Sequence, residues 1–310
     1  MRKPDLDSLS RACIPHVQEY YDLLQYEPDP LGGYRLKRPQ SLPHITINQD
    51  GYRGKPFTGD EEVLLLGDSV TFGVGASSDE ACFSRFLESF AGRPVADVSV
   101  RAYRVFQHFG RLPGLLERLP RIRLVLLWCG YADLLFWVLS NGSVEGAFGF
   151  SQRYADKPPA GWRRLLSRFS PPPPAPAQGK PVPLEGLAEQ MLTHLRAIRD
   201  LLAIREIGLQ VLLQPFVRSR PALARIRLVC DGYDEKTREK LGKGWYELCD
   251  EFLPLLRQGL QRETPGSWVD CQPLAAEEDF LDQVHLKESA AERLAWSLAG
   301  SLFRPAEVMR

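Results

Sequence analysis

The sequence lacks a metal-binding cysteine pattern. None of its six cysteines forms a Cys-x-x-Cys pair, which argues against a zinc knuckle. Cys129 ends an apolar run, a context typical of buried free thiols in a reducing compartment. The segment Gly73-Val74-Gly75 is too short to be a dinucleotide-binding signature. We therefore expect neither a metal nor a cofactor.

The sequence also lacks an excess of charge of either sign. Lys+Arg and Asp+Glu both total 39, so the formal net charge is zero. Nucleic-acid binding needs a basic surface, so we expect no nucleic-acid partner. A local basic patch remains an alternative to an ordinary solvated face at four arginines: Arg218, Arg220, Arg225 and Arg227.

No apolar run is long enough to cross a membrane. The longest, Leu124–Leu139, contains Asp133 and is shorter than the ~18 residues that a spanning helix needs. The first residues, Met-Arg-Lys-Pro-Asp-Leu-Asp, lack the apolar stretch of a signal peptide. These features predict a cytoplasmic protein without a membrane span.

From residue 61 onward, short apolar runs alternate with helical periodicity. Strands are predicted at 63–67, 95–98, 124–128, 209–213 and 268–269. Helices are predicted at 80–90, 105–119, 184–204, 235–261 and 287–302, the second broken near Pro113. Such alternation predicts an α/β protein: a flavodoxin-like three-layer α/β/α sandwich with a mainly parallel five-stranded sheet. Ligands of such sheets bind beyond the carboxyl ends of the strands.

Two regions fall outside this alternation. Residues 1–60 are rich in proline, glycine and tyrosine, and we interpret them as an N-terminal extension that packs on a main domain spanning 61–310. Residues 140–182 form an irregular insertion with prolines at 171–174 and 176. This insertion is either a stiff surface segment or a lid over a site.

A serine and a histidine stand at the predicted carboxyl edge of the sheet. The first strand ends in Gly67-Asp68-Ser69, and a serine hydroxyl needs a base within hydrogen-bond reach to become a nucleophile. His285 lies between the last strand and the last helix. Asp282 is close enough in sequence for one tight turn to aim its carboxylate at the imidazole Nδ1. Asp279 is a second candidate for that orienting role, ranked below Asp282.

The other four histidines are expected to be surface or structural residues. They lie in the irregular N-terminal region or within predicted helices: His16, His44, His108 and His194.

Gly67-Asp68-Ser69 and Asp282-Gln283-Val284-His285 resemble the first and last blocks of the SGNH, or GDSL-type, serine hydrolase family. Asn48–Gly54 is similar to an Asn-x-x-Gly-Phe-Arg-Gly segment found upstream of the nucleophile in one branch. The resemblance spans roughly residues 45–300 and implies the SGNH hydrolase fold for the main domain. Members of the family are esterases, lipases, thioesterases, carbohydrate deacetylases and some acyltransferases.

The two middle blocks depart from the family pattern. Ala102 stands where the second block has a glycine, although the backbone N–H that the family uses there is retained. A positive φ at this position would penalise alanine. The third block, Gly-x-Asn-Asp, corresponds to Gly130-Tyr131-Ala132-Asp133, so Ala132 replaces the asparagine whose amide binds the oxyanion. Loss of one such donor costs ~2.7–4 kcal/mol.

The resemblance implies an oxyanion and substrate-binding region formed by five residues: Ser69, Ala102, Gly130, Tyr131 and Ala132. Gln107 and Tyr103 are candidates for the missing donor. Asp68 and Asp133 are interpreted as structural, the first capping the helix that follows it and the second tying its loop to its neighbours by accepting backbone N–H bonds.

Three functions are consistent with these residues. The leading hypothesis is a serine hydrolase that cleaves a small-molecule ester or thioester, with Ser69 as nucleophile, His285 as base and Asp282 orienting the base. An acyltransferase would pass the same acyl group to an alcohol or amine. A binding or scaffold protein would use the fold without catalysis. The aromatic residues Tyr131, Phe136 and Trp137 line an acyl pocket or belong to the core.

Overall fold

The computed structural model describes residues 23–139, 142, 182–217 and 244–303. Residues 23–60 form two small antiparallel pairs of strands. The first pair joins β1 (Tyr26–Asp29) to β2 (Gly33–Leu36), and the second joins β3 (Gln40–Ser41) to β4 (Thr46–Ile47).

A central sheet follows, made of strands β5 (Val63–Leu66), β6 (Val95–Asp97), β7 (Leu124–Cys129), β8 (Gly208–Leu213) and β9 (Trp268–Asp270). Their order across the sheet is β6-β5-β7-β8-β9, and every adjacent pair is parallel. This is the flavodoxin-like order, so the prediction of a parallel five-stranded sheet is confirmed. Because both faces of the sheet are covered, β5 is buried along its whole length.

In the described part of the chain, six longer helices accompany these strands: α1 (Phe83–Ala91), α2 (Val105–Arg118), α3 (Tyr131–Leu139), α4 (Leu184–Ile204), α5 (Trp245–Glu263) and α6 (Glu288–Leu302). Crossovers between parallel strands are right-handed. Because the chain steps from β5 outward to β6 and then back to β7, α1 and α2 lie on opposite faces. Accordingly, α6 packs on α1, while α2 and α5 pack on α4. The result is the expected three-layer α/β/α arrangement.

Two details of the predicted helices are corrected. Helix α2 runs without interruption from Val105 to Arg118, so the predicted break near Pro113 is wrong. Pro113 is exposed, where water can satisfy the carbonyl that loses its partner. Helix α1 begins at Phe83 rather than residue 80, after a separate 3₁₀ turn at Asp79–Ala81. The predicted helix 235–261 begins outside the described residues.

The described part of the N-terminal segment contacts the main sheet domain through hydrogen bonds. The Tyr34 hydroxyl donates to the Arg101 carbonyl at 2.5 Å, and Gln107 Nε2 donates to the Gly32 carbonyl at 2.6 Å.

Of the 140–182 insertion, only Gly142 and Val182 lie within the described residues, and the Val182 N–H donates to the Gly142 carbonyl at 2.9 Å.

None of the described helices combines the length and apolar character that crossing a bilayer requires. Four of the described cysteines are buried and form no disulfide within the described part of the chain: Cys82, Cys129, Cys249 and Cys271. Burial raises the pKa of Cys82 to about 12, so its thiol is unreactive at neutral pH. The proposed basic patch at residues 218–227 and the two remaining cysteines lie outside the described residues.

Candidate active site

Ser69 lies in a tight turn directly beyond the carboxyl end of β5. Residues 68–76 form this serine turn, in which the N–H of Phe72 donates to the Asp68 carbonyl and that of Val74 to the Ser69 carbonyl, both at 3.0 Å. Gly67 is required at its start, because a Cβ there would lie 1.9 Å from the hydroxyl of Thr71. The turn leaves Ser69 partly exposed at the edge of the sheet.

The structure brings Ser69, His285 and Asp282 into one chain of hydrogen bonds. Ser69 Oγ lies 2.8 Å from His285 Nε2, and His285 Nδ1 lies 2.5 Å from Asp282 Oδ2. A carboxylate on Nδ1 selects the tautomer that carries its proton there. Nε2 is then an acceptor, and the hydroxyl of Ser69 donates to it. The side chain of His285 is 7% exposed, so its ring is held by packing as well as by these bonds.

Asp282 is fixed by its own turn. Its Oδ1 accepts the backbone N–H groups of Val284 at 2.8 Å and His285 at 2.7 Å. Burial raises the pKa of Asp282, but the charge of His285 and these hydrogen bonds outweigh burial, so the pKa lies below its ordinary value. The carboxylate is therefore ionised at neutral pH, as the orientation of the base requires.

Asp279 has other partners than the imidazole. One of its carboxylate oxygens pairs with the guanidinium of Arg293 on α6, and the other accepts the Ala276 N–H at 2.9 Å. The loop that carries His285 is also tied to the loop after β8, because the Val217 N–H donates to the Gln283 carbonyl at 2.8 Å. Of the two carboxylates considered from sequence, only Asp282 contacts His285.

Asp68 is buried directly behind Ser69. Its Oδ1 accepts the Val70 N–H at 2.8 Å, so Asp68 stabilises the start of the serine turn. The predicted helix after Asp68 is replaced by this turn, and the prediction of a helix cap is corrected. Burial raises the pKa of Asp68 to about 6, although the Val70 N–H, the charge of His285 and the nearby amide of Gln214 oppose the shift. The Gln214 side chain is fully buried at the end of β8 and makes no hydrogen bond of normal geometry within the described chain.

Two backbone N–H groups at the site lack an acceptor among the residues that the structure describes. Ala102, in the loop after β6, has a φ of 61°, the left-handed conformation that favours glycine. Within the described part of the chain, neither the Ala102 N–H nor the Ser69 N–H donates a hydrogen bond. Both groups are free to bind an anionic oxygen.

The third-block residues stand at the start of α3. Gly130 has a φ of 123° and precedes the helix, and Ala132 is buried in its first turn with no side-chain donor. Asp133 forms a buried ion pair with Arg104, whose Nε lies 3.2 Å from Asp133 Oδ1. This pair links α3 to the beginning of α2, in keeping with a structural role for Asp133.

Neither candidate for the missing donor is available. Gln107 accepts the Arg104 N–H at 3.0 Å and donates to Gly32 in the N-terminal segment. The Tyr103 hydroxyl donates to the Tyr34 carbonyl and accepts from Arg111 Nη1 at 2.9 Å. Both side chains therefore serve the packing of the N-terminal segment.

An aromatic cluster that sequence reasoning did not identify adjoins the third block. The Tyr131 ring lies 5.5 Å from the Phe216 ring and 5.7 Å from the Trp245 ring, and all three residues are buried. Trp137 is partly buried, and its indole N–H donates to the Val182 carbonyl at 2.9 Å. These contacts favour packing over an open pocket for Tyr131.

The remaining described histidines do not contact Ser69. Burial lowers the pKa of His108 to about 3, so this residue is neutral. His194 Nδ1 bonds to the Gln190 carbonyl of its own helix, and the His44 carbonyl accepts from Arg53. In the ranges that the structure covers, no three histidine, cysteine or acidic side chains are grouped so as to hold a metal ion.

No family model and no curated protein matches the sequence. Solved structures resemble the fold at low identity. A protein described as lipolytic and of the G-D-S-L family, from Desulfitobacterium hafniense DCB-2, is 13% identical, with a TM-score of 0.45 over 78% of this chain and 99% of that one. The psychrotrophic esterase EstA from Pseudoalteromonas sp. is 13% identical, with a TM-score of 0.44 over 78% of this chain and 97% of that one.

A structure of TesA is 14% identical, with a TM-score of 0.44 over 78% of this chain and 98% of that one.

Proposed function

We propose that the protein is a serine hydrolase of the SGNH type that cleaves a small-molecule ester or thioester through an acyl-enzyme on Ser69. The observation that carries the proposal is the continuous hydrogen-bond chain from Ser69 Oγ through His285 to Asp282, with distances of 2.8 and 2.5 Å. Each group has the partner that nucleophilic catalysis by serine requires.

In the acylation step, Ser69 Oγ forms a bond to the carbonyl carbon while His285 Nε2 takes the hydroxyl proton. Asp282 stabilises the imidazolium that results. The tetrahedral intermediate then collapses, and Nε2 returns the proton to the departing alkoxide or thiolate. Water, deprotonated by the same imidazole, attacks the acyl carbon and releases the acid and Ser69.

The negative oxygen of each tetrahedral intermediate would be held by the N–H groups of Ser69 and Ala102. Both lack an acceptor within the described residues, so neither must give up an existing bond. Because the Ala132 side chain has no amide to donate a hydrogen bond, we expect turnover ~10²–10³-fold below that of a site with a third donor.

Two alternative functions follow from the absence of an asparagine side-chain amide at Ala132. A long-lived acyl-enzyme could be resolved by an alcohol or amine, which would make the protein an acyltransferase. A site that never acylates would make it a binding protein on a hydrolase fold.

Product analysis separates these functions. The full chain is incubated with a panel of activated esters and acyl thioesters, with and without added alcohols and amines, and products are identified by mass spectrometry. We expect free acid, lost in Ser69→Ala. Acylated acceptor formed in preference to free acid would indicate transfer. Absence of any turnover by folded protein would contradict catalysis.

A further inference from the structure

The serine turn supplies no N–H donor for its Phe72 carbonyl. Within the serine turn, the backbone makes about one and a half turns of hydrogen-bonded coil. The coil ends at Gly73 and Gly75, which have φ values of 87° and 92°. The next regular helix, α1, does not begin until Phe83. The Phe72 carbonyl accepts no N–H from the turn, and the Gly73 carbonyl, which accepts the Ala76 N–H at 3.0 Å, has a second lone pair available. Both carbonyls can therefore take donors from outside the turn.

Arg53 of the N-terminal segment supplies those donors. Its Nη1 donates to the Phe72 carbonyl at 3.1 Å and to the Gly73 carbonyl at 2.8 Å. The guanidinium carbon also lies 5.4 Å from the centre of the Phe72 ring. The close approach uses the absence of a side chain at Gly73, where a Cβ would lie 3.1 Å from Arg53 Nη1.

The other nitrogens of Arg53 are held just as firmly. Nε donates to Asp79 Oδ1 at 2.7 Å, and Nη2 donates to the His44 carbonyl at 2.9 Å. The arginine side chain is 4% exposed. A guanidinium presents all its donors in one rigid plane, whereas a lysine ammonium has a single nitrogen and cannot reach these acceptors together.

The segment Asn48–Gly54 presents Arg53 to the turn. Asn48 Oδ1 accepts the N–H groups of Asp50 at 2.9 Å and Tyr52 at 3.2 Å, which closes a compact loop. Arg53 then forms a β-bridge with Ile47, directing its side chain out of this loop. The loop Asn48–Gly54 thus places Arg53 against the turn that carries Ser69.

We propose that Arg53 is a positioning residue for the nucleophile: by clamping the Phe72 and Gly73 carbonyls, it holds Ser69 Oγ and the Ser69 N–H in register with His285 and Ala102. Arg53 touches neither substrate nor the reacting atoms in this account. The inference rests on the proposed function and assigns to the N-terminal segment a direct part in it.

The test compares Arg53→Ala and Arg53→Lys with a matched control, Arg111→Ala. Arg111 is a partly buried arginine that binds the N-terminal segment through Tyr52 and Asp29, and among the described residues it has no hydrogen bond or ion pair to the serine turn. For each folded variant, the second-order rate of Ser69 labelling by a fluorophosphonate is measured well below its Tm, together with kcat and KM on an activated ester.

We expect both Arg53 variants to label about 10- to 100-fold more slowly than wild type, with kcat reduced and KM nearly unchanged, because displacement of a reacting group by about 1 Å has effects of this size. Arg111→Ala should lose stability but keep the wild-type labelling rate. Equal rates in wild type and both Arg53 variants, or an equal fall in Arg111→Ala, would overturn the inference.

If neither Arg53 variant folds, Asp79→Ala decides, because it removes the carboxylate that accepts from Nε and leaves the arginine in place. Slower labelling of this variant supports the clamp, and a wild-type rate contradicts it. If the wild type is labelled and the variants are labelled at the same rate, the clamp alone is refuted. If the folded wild type is not labelled at all, the proposed function is refuted as well.

Discussion

The Nε2 atom of His285 lies 2.8 Å from Ser69 Oγ, although 216 residues separate the two in sequence. Ser69 follows β5, while His285 follows β9, three strands away across the sheet. Adjacent strands are ~4.8 Å apart, so the loop after β9 must return roughly 14 Å over β8 and β7. The hydrogen bond between Val217 and Gln283 fixes this return path.

Ser69 and His285 are expected to act as a unit. Ser69→Ala and His285→Ala should each lower kcat by about 10³-fold or more, and the double variant should be little worse than either, because each loss disables the same proton transfer. The measurement is kcat on an activated ester for the two single variants and the double variant. Losses that multiply would contradict a shared step.

Asp282→Asn should lower kcat by about 10⁴-fold without unfolding the protein. The amide would still accept the backbone N–H groups of Val284 and His285, but it would no longer select the tautomer with a proton on Nδ1. Asp279→Asn is the matched control, since Asp279 pairs with Arg293 instead of the imidazole. Comparable losses in kcat for the two variants would argue against the assigned orientation of His285.

Ala102→Gly should stabilise the protein by about 1 kcal/mol while preserving activity. The φ of 61° at Ala102 imposes steric strain on any side chain, and glycine removes it. The backbone N–H assigned to oxyanion binding is retained. Urea unfolding of both proteins measures the change in free energy, and an unchanged or lower stability would mean that the surrounding loop compensates for the strain.

Asp68 should make stability depend on pH. Because its folded pKa of about 6 lies above the ordinary 3.8, the native state binds this proton more tightly than the unfolded state does. The stabilisation is present below pH 3.8 and is lost as pH rises through about 6. Asp68→Asn keeps an acceptor for the Val70 N–H, so it should gain stability relative to wild type at neutral pH, by at most about 3 kcal/mol.

The free energy of unfolding is measured for wild type and for Asp68→Asn, near pH 4 and near pH 8. The difference between the two proteins should grow from the acidic to the neutral condition. A difference that is the same at both pH values would show that burial does not perturb this carboxyl as described.

The sequence predicts the strands and helices that have a regular pattern of apolar residues, and the site residues whose chemistry few other residues share. Apolar runs such as Leu124–Trp128 identify the strands of the sheet, and helix α4 was predicted with the observed bounds, Leu184–Ile204. Ser69, Asp282 and His285 stand out because few other residues offer a base beside the edge of the sheet.

Features that depend on distant contacts were not predictable from pattern. Strands β3 and β4 have two residues each, too few to show any periodicity. Tyr103 and Gln107 were candidate oxyanion donors by proximity in sequence, but tertiary contacts with the N-terminal segment occupy them. The clamp formed by Arg53 joins side chain and carbonyls 19 and 20 residues apart, a pairing that only the folded chain reveals.

The most direct test of the central claim is the intact mass of the full chain after reaction with a fluorophosphonate, followed by peptide mapping of the modified residue. Our account predicts one phosphonyl adduct on Ser69, absent from Ser69→Ala and strongly slowed in His285→Ala. An unmodified wild-type protein that is folded, or an adduct that persists in Ser69→Ala, would contradict Ser69 as the nucleophile.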